Sequence, residues 1–130
     1  MRGVYAVAAE LSRRGFVVAV TSRGAKGSDL ILTDPAGLHT FSVQVKANAV
    51  TFNFWNMNKD TPKYRSPTHI YVLANFRRIE TEFYVVPSDI IADAYKEKAR
   101  PGSIARFVDL VDVKDFRNRW DLFGIPVDVS

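Results

Sequence analysis

A chain of 130 residues, 47% hydrophobic and 25% charged, has the size and composition of one packed domain, able to bury roughly two-thirds of its unfolded-state surface without staples. The absence of cysteine excludes disulfides, thiolate metal sites, iron–sulfur clusters and thiol nucleophiles, and leaves His39 and His69 as the only imidazoles. A net charge of +4 leans toward a polyanionic partner, and no apolar run approaches the roughly 18 residues that span a bilayer. A soluble, cytoplasmic protein with a single domain over residues 1–130 and no membrane contact is expected.

In chain order, Val4, Val7, Ala8 and Leu11 recur at helical spacing between Gly3 and Arg14, with Gly15 as the stop. Phe16 to Thr21 is short, β-branched and aromatic, and predicts a buried strand. The loop Ser22 to Ser28 carries two glycines with Arg23 and Lys26. Strands follow over Asp29 to Thr33 and Thr40 to Ala47, joined by Asp34-Pro35-Ala36-Gly37, whose aspartate, proline and glycine fit turn positions one, two and four.

Asn48 to Pro67 mixes polar, aromatic and basic residues, and Pro62 and Pro67 predict a substantial loop. His69 to Asn75 and Glu82 to Val86 predict two more strands. A helix is expected after Pro87, capped by Ser88, carrying Lys96 and Lys98 near its end and stopped by Pro101-Gly102. A last helix is expected from Val113 to Phe123, on the stripe Val113, Phe116 and Trp120. The economical packing is α/β, a mixed sheet with helices on its faces.

Polar residues interrupt the central hairpin. Gln44 and Lys46 lie two apart on one strand and so share a face, opposite Val43 and Val45. Asp29, at the start of the partner strand, falls within cross-strand reach of that end. Unpaired charge inside a sheet costs several kcal/mol, so such groups satisfy one another, meet solvent or bind something. A hard cation is one candidate: Asp29, the Gln44 amide oxygen and the Val45 carbonyl could supply three oxygens, with Lys46 beside them to orient a water. Plainer roles stand beside it. Asp29 can cap the preceding turn, Lys46 can snorkel from the strand end, Gln44 can bond a neighbouring loop, and Glu10 can pair with Arg14 one helical turn on.

Glu10 in an opening helix, Asp29 after Gly27-Ser28, and Gln44-Val45-Lys46 on the next strand together resemble the PD-(D/E)XK nuclease superfamily. The spacing is most similar to its Holliday-junction-resolvase-like and Mrr-type branches, the latter using glutamine at the second acidic position. The resemblance implies a restriction-endonuclease-like fold, with a central mixed β-sheet of about five strands flanked by helices. It also implies a Mg²⁺-dependent endonuclease acting on DNA rather than RNA, with Mn²⁺ as the alternative ion, and a homodimer as in related enzymes. Asp29, Gln44 and Glu10 would hold the metal, and Lys46 would position the attacking water.

Phe52, Phe54, Trp55 and Tyr64 interleave with Lys59, Lys63 and Arg65, a pattern suited to stacking on bases and neutralising phosphates. At least two of Phe52, Phe54 and Trp55 are expected in the core, leaving Lys59, Lys63 and Arg65, with Arg23 and Lys26, as the candidate nucleic-acid contacts. Both histidines are expected to be structural. The rival function is a catalytically inactive nuclease-like module that binds nucleic acid or a protein partner, because an amide at position 44 removes one charge from the site.

Overall fold

The opening helix forms because its apolar stripe finds a sheet to cover. A computed structural model describes residues 2–21, 28–34, 36–49, 51–77 and 79–124, and in it α1 (Arg2–Arg13) buries Gly3, Val4, Val7 and Leu11. Its end is a Schellman motif: Gly15, at φ 92°, donates its N–H to the Ser12 carbonyl, and the Phe16 N–H reaches the Leu11 carbonyl. Gly3 lets the helix sit close, since a Cβ there would lie 3.0 Å from the Ala47 Cβ.

The strands are β1 (Val17–Val20), β2 (Leu30–Thr33), β3 (Thr40–Asn48), β4 (Phe54–Asn56), β5 (His69–Phe76), β6 (Thr81–Pro87), β7 (Lys96–Arg100) and β8 (Ser103–Asp109), with α2 (Ser88–Ala94) between β6 and β7. Five of them form a mixed sheet in the order β1-β2-β3-β5-β6, in which only β3 and β5 run parallel. This is the α/β architecture expected. The β2–β3 turn closes as its residues require: the Asp34 carbonyl accepts the Gly37 N–H, its carboxylate accepts the Leu38 N–H, and Gly37 has φ 73°. Pro35 lies outside the described residues.

Alternation along β3 and β5 divides the apolar side chains between two layers. On one face Leu30, Leu32, Val43, Val45, Ile70 and Val72 meet Val4, Val7 and Leu11 of α1. On the other Tyr71, Leu73, Tyr84 and Val86 meet Ile91 of α2, Trp55 of β4 and Val108 of β8. The Trp55 indole N–H is satisfied by the Ala74 carbonyl at 2.9 Å.

Four expected elements differ. Strand β1, expected to be buried, is the edge of its sheet and leaves Val17 and Val20 exposed, with Phe16 before it reaching the core. The loop 48–67 contains β4 and a short 3₁₀ turn, Thr61–Lys63. The helix after Pro87 stops at Ala94, and Pro87 takes the N-cap position, because the Ser88 hydroxyl is engaged elsewhere, bonded to the Ser66 backbone at both N–H and carbonyl. The lysines expected near that helix's end belong to β7, which pairs with β8 across Pro101-Gly102, with Gly102 at φ 75°, and β8 carries β4 on its other side. Pro-Gly here turns a hairpin instead of ending a helix.

The expected helix over 113–123 is replaced by 3₁₀ turns at Leu110–Asp112, Lys114–Phe116 and Trp120–Phe123. A continuous helix would put Val113, Phe116 and Trp120 on one side, whereas the chain crosses the free edge of β6. Arg117 bridges Tyr84, Asn118 at φ 56° donates to the Phe83 carbonyl, Val113 enters one core layer, and Trp120 and Phe123 enter the other. Among the described residues, no helix is long and apolar enough to cross a membrane.

A candidate active site where two strands part

The β2–β3 ladder ends at Leu30 opposite Val43, and just beyond it the Asp29 side chain takes the place of a strand. The Asp29 N–H still bonds the Val43 carbonyl at 2.8 Å. Its Oδ2 then accepts the Val45 N–H at 2.8 Å and the Gln44 Nε2 at 3.0 Å. A carboxylate in a gap between strands is an expensive group to bury, and two N–H donors offset that cost.

These two bonds fill one carboxylate oxygen only. With Gln44 Nε2 used, neither Gln44 Oε1 nor Asp29 Oδ1 has a hydrogen-bond partner among the described residues. A strand residue sends its N–H and C=O to the same edge, so the Val45 carbonyl faces this notch as well. Lys46 projects from the same face of β3 as Gln44, half-buried, and among the described residues no carboxylate pairs with it. An open carboxylate oxygen, the amide bonded to the same carboxylate, a backbone carbonyl and, on the same strand face as that amide, the Lys46 side chain thus lie along the one stretch where β2 and β3 part.

Glu10 has different partners. Its Oε1 accepts from Arg13 Nη2 at 2.6 Å and from Arg14 Nε at 2.9 Å. The Arg13 hydrogen bond, helped by Arg14 and opposed by partial burial, holds its carboxyl below the ordinary 4.5. Arg14 also lies 4.9 Å above the Trp120 ring, which fixes this cluster on the α1 side of the sheet. Among the described residues no three His, Cys, Asp or Glu side chains group as metal ligands.

Beside the notch, an open cleft of about 360 Å³ is lined by Ser28, Ser42, Lys63, Tyr64, Arg65 and His69 among others. Ser28 precedes Asp29, and Ser42 is one pleat before Gln44 on the same face, so cleft and notch adjoin. Lys63 pairs with Asp60 at 3.3 Å, and Arg65 with Asp93 at 2.8 Å. Lys59 stands in an exposed turn, and Arg23 and Lys26 lie outside the described residues. His69 is buried, its Nδ1 2.7 Å from the Ser42 hydroxyl, and burial pushes its imidazole below the ordinary 6.5. Of the three aromatic residues expected to put at least two in the core, only Trp55 enters it; Phe54 is half-buried and Phe52 exposed, because the outer face of β4 points away from both layers.

The Ser42–His69 pair at the cleft is not visible in sequence, because the two residues are 27 apart and meet only through the parallel pairing of β3 with β5.

No protein-family model matches the chain, and no curated protein matches it. Among solved structures it is similar to Hjc of Archaeoglobus fulgidus, a Holliday junction resolvase from an archaeal hyperthermophile. The two superpose with a TM-score of 0.53 over 85% of this chain and 90% of that one, at 11% identity. Together with the sheet order and the strands that part at Asp29, that superposition shows the chain to have the restriction-endonuclease-like fold.

Proposed function

We propose that this chain is a Mg²⁺-dependent nuclease that hydrolyses phosphodiester bonds in DNA, with Mn²⁺ as the alternative ion. The observation that carries the proposal is the Asp29 carboxylate, fixed by Val45 N–H and Gln44 while its second oxygen stays open. The donors present, all hard oxygens, suit a small divalent cation that keeps several waters. Asp29, Gln44 and the Val45 carbonyl would hold it. When bound, such an ion polarises the phosphoryl group and lowers the pKa of water.

The remaining roles belong to the chain. Gln44 keeps Asp29 from rotating and offers its amide oxygen without adding charge. Lys46, with no carboxylate among the described residues to neutralise it, hydrogen-bonds the attacking water and offsets negative charge gathering on the phosphate. Glu10, kept ionised by Arg13 and Arg14, would have to leave those partners to add a second carboxylate beside Asp29. Lys63 and Arg65 flank the cleft through which a strand would reach the notch. Support for DNA comes from the Archaeoglobus fulgidus protein of similar fold, a Holliday junction resolvase.

The test is metal-dependent cleavage of labelled duplex, branched and single-stranded DNA, with calorimetric titration of Mg²⁺ and Mn²⁺ alongside. Lys46→Ala should lower cleavage by about a hundredfold while leaving nucleic-acid affinity nearly intact. If neither ion binds and no substrate is cut, the proposal fails. One observation favours the second reading, a module that binds nucleic acid without cutting it: the notch holds a single carboxylate, Asp29, with an amide at the neighbouring position.

A further inference from the structure

The outer face of the small sheet β4-β8-β7 has no counterpart in the site above. Strand register places Phe54 and Asn56 of β4, Ser103, Ala105 and Phe107 of β8, and Lys96, Lys98 and Arg100 of β7 on that one face, opposite the buried Trp55 and Val108. Phe52 stacks on Phe54 with centroids 5.2 Å apart, and Phe107 meets Phe54 edge-on at 6.0 Å. Phe54, Asn56, Arg100, Ala105 and Phe107 line a depression of about 300 Å³.

We propose that this depression binds an unpaired nucleobase, stacked on the Phe107 ring with Phe54 and the Asn56 amide at its edge, while Lys98 and Arg100 contact the phosphates of the same strand. The proposal rests on nucleic acid being the ligand of the neighbouring notch. Three features favour it over an apolar partner. Lys96 is neutralised by Asp109 at 2.9 Å and Asp112 at 2.6 Å, but Lys98 and Arg100 have no ion pair among the described residues. Half-buried aromatic rings lining an open depression, beside cations with no ion pair among the described residues, suit bases and phosphates together. The platform also continues from the site: Asn48, one pleat beyond Lys46 on the same face of β3, donates to the Phe52 and Phe54 carbonyls at 3.2 and 2.9 Å.

The platform is held in place before any ligand arrives. Asn75 donates a further hydrogen bond to the Phe52 carbonyl, and Leu110 donates to that of Asn53. A strand passing Lys46 would therefore meet a fixed aromatic surface, where stacking costs little reorganisation.

Fluorescence anisotropy with the full chain in EDTA tests this apart from cleavage, using an oligodeoxythymidylate and an abasic strand of equal length. The thymidylate should bind tighter, and Phe107→Ala should cost it roughly tenfold while changing abasic affinity little. Phe107→Tyr should keep the affinity. Arg100→Ser, at an exposed position where folding is not at stake, should reduce the salt slope of both strands by about one. Equal losses on both strands, no loss for Phe107→Ala, or a self-association that Phe107→Ala abolishes would each overturn the proposal. If base-dependent binding persists where no metal supports cleavage, the nuclease reading fails and this one stands; cleavage without base dependence does the reverse.

Discussion

Val45 donates its backbone N–H to the Asp29 carboxylate at the place where β2 stops pairing with β3. The side chain thus completes a ladder that the main chain leaves unfinished, and one carboxylate serves both ends: Oδ2 holds the strand, and Oδ1 is left for the proposed chemistry.

Replacing Asp29 separates these roles. Asp29→Asn keeps an acceptor for Val45 and should cost about 1 kcal/mol, whereas Asp29→Ala strands a part-buried N–H and should cost about 1–3 kcal/mol. Both should abolish metal-dependent cleavage. Denaturant unfolding beside a cleavage assay checks this; equal stability losses would mean that the Asp29–Val45 bond contributes little.

Gln44→Glu tests the metal directly. Without divalent ions, a second carboxylate against Asp29 replaces a hydrogen bond by repulsion, and stability should fall by about 1 kcal/mol, or a few degrees in Tm. Added Mg²⁺ should raise the Tm of this variant more than that of the parent chain. Equal responses in a thermal-shift titration would remove Gln44 from the ligand set.

The pH dependence of stability reports on Glu10. Its folded-state pKa is depressed, chiefly by the Arg13 hydrogen bond, so ionised Glu10 favours the folded chain. That contribution is complete above the unfolded value near 4.5 and disappears as pH falls through the lower folded value. Glu10→Gln should therefore reduce stability at neutral pH and converge with the parent in acid. Parallel pH curves, found by denaturant unfolding at successive pH values, would show that the arginines do not hold it.

Gly3→Ala probes the contact of α1 with β3. Alanine favours helix, but its Cβ would meet the Ala47 Cβ at 3.0 Å, and neither group can swing aside. Overpacking should win, with a net loss of about 1 kcal/mol. Ala47→Gly in the same chain should recover part of it, as a double-mutant cycle would show.

The parts of the fold that were legible in sequence are those written locally. Asp34, Gly37 and the alternation on either side specify the β2–β3 hairpin, and that alternation alone puts Gln44 and Lys46 on one face. The Lys96–Asp109 hairpin was hidden because Pro101-Gly102 also ends helices, and strand β7 has no buried side to mark its period. Val113, Phe116 and Trp120 have helical spacing, yet tertiary packing sends Val113 and Trp120 to opposite layers. Glu10 was ambiguous for a reason of distance: both arginines that engage it lie within one helical turn, and helical spacing was the signal for either role.

The tail that crosses β6 has a further consequence. Because one short segment seals Val113 into one layer and Trp120 and Phe123 into the other, neither layer can loosen without pulling on its neighbour through the Arg117–Tyr84 bridge. The strap thereby joins the two layers across the β6 edge, so that unfolding either one strips packing from the segment that closes the other.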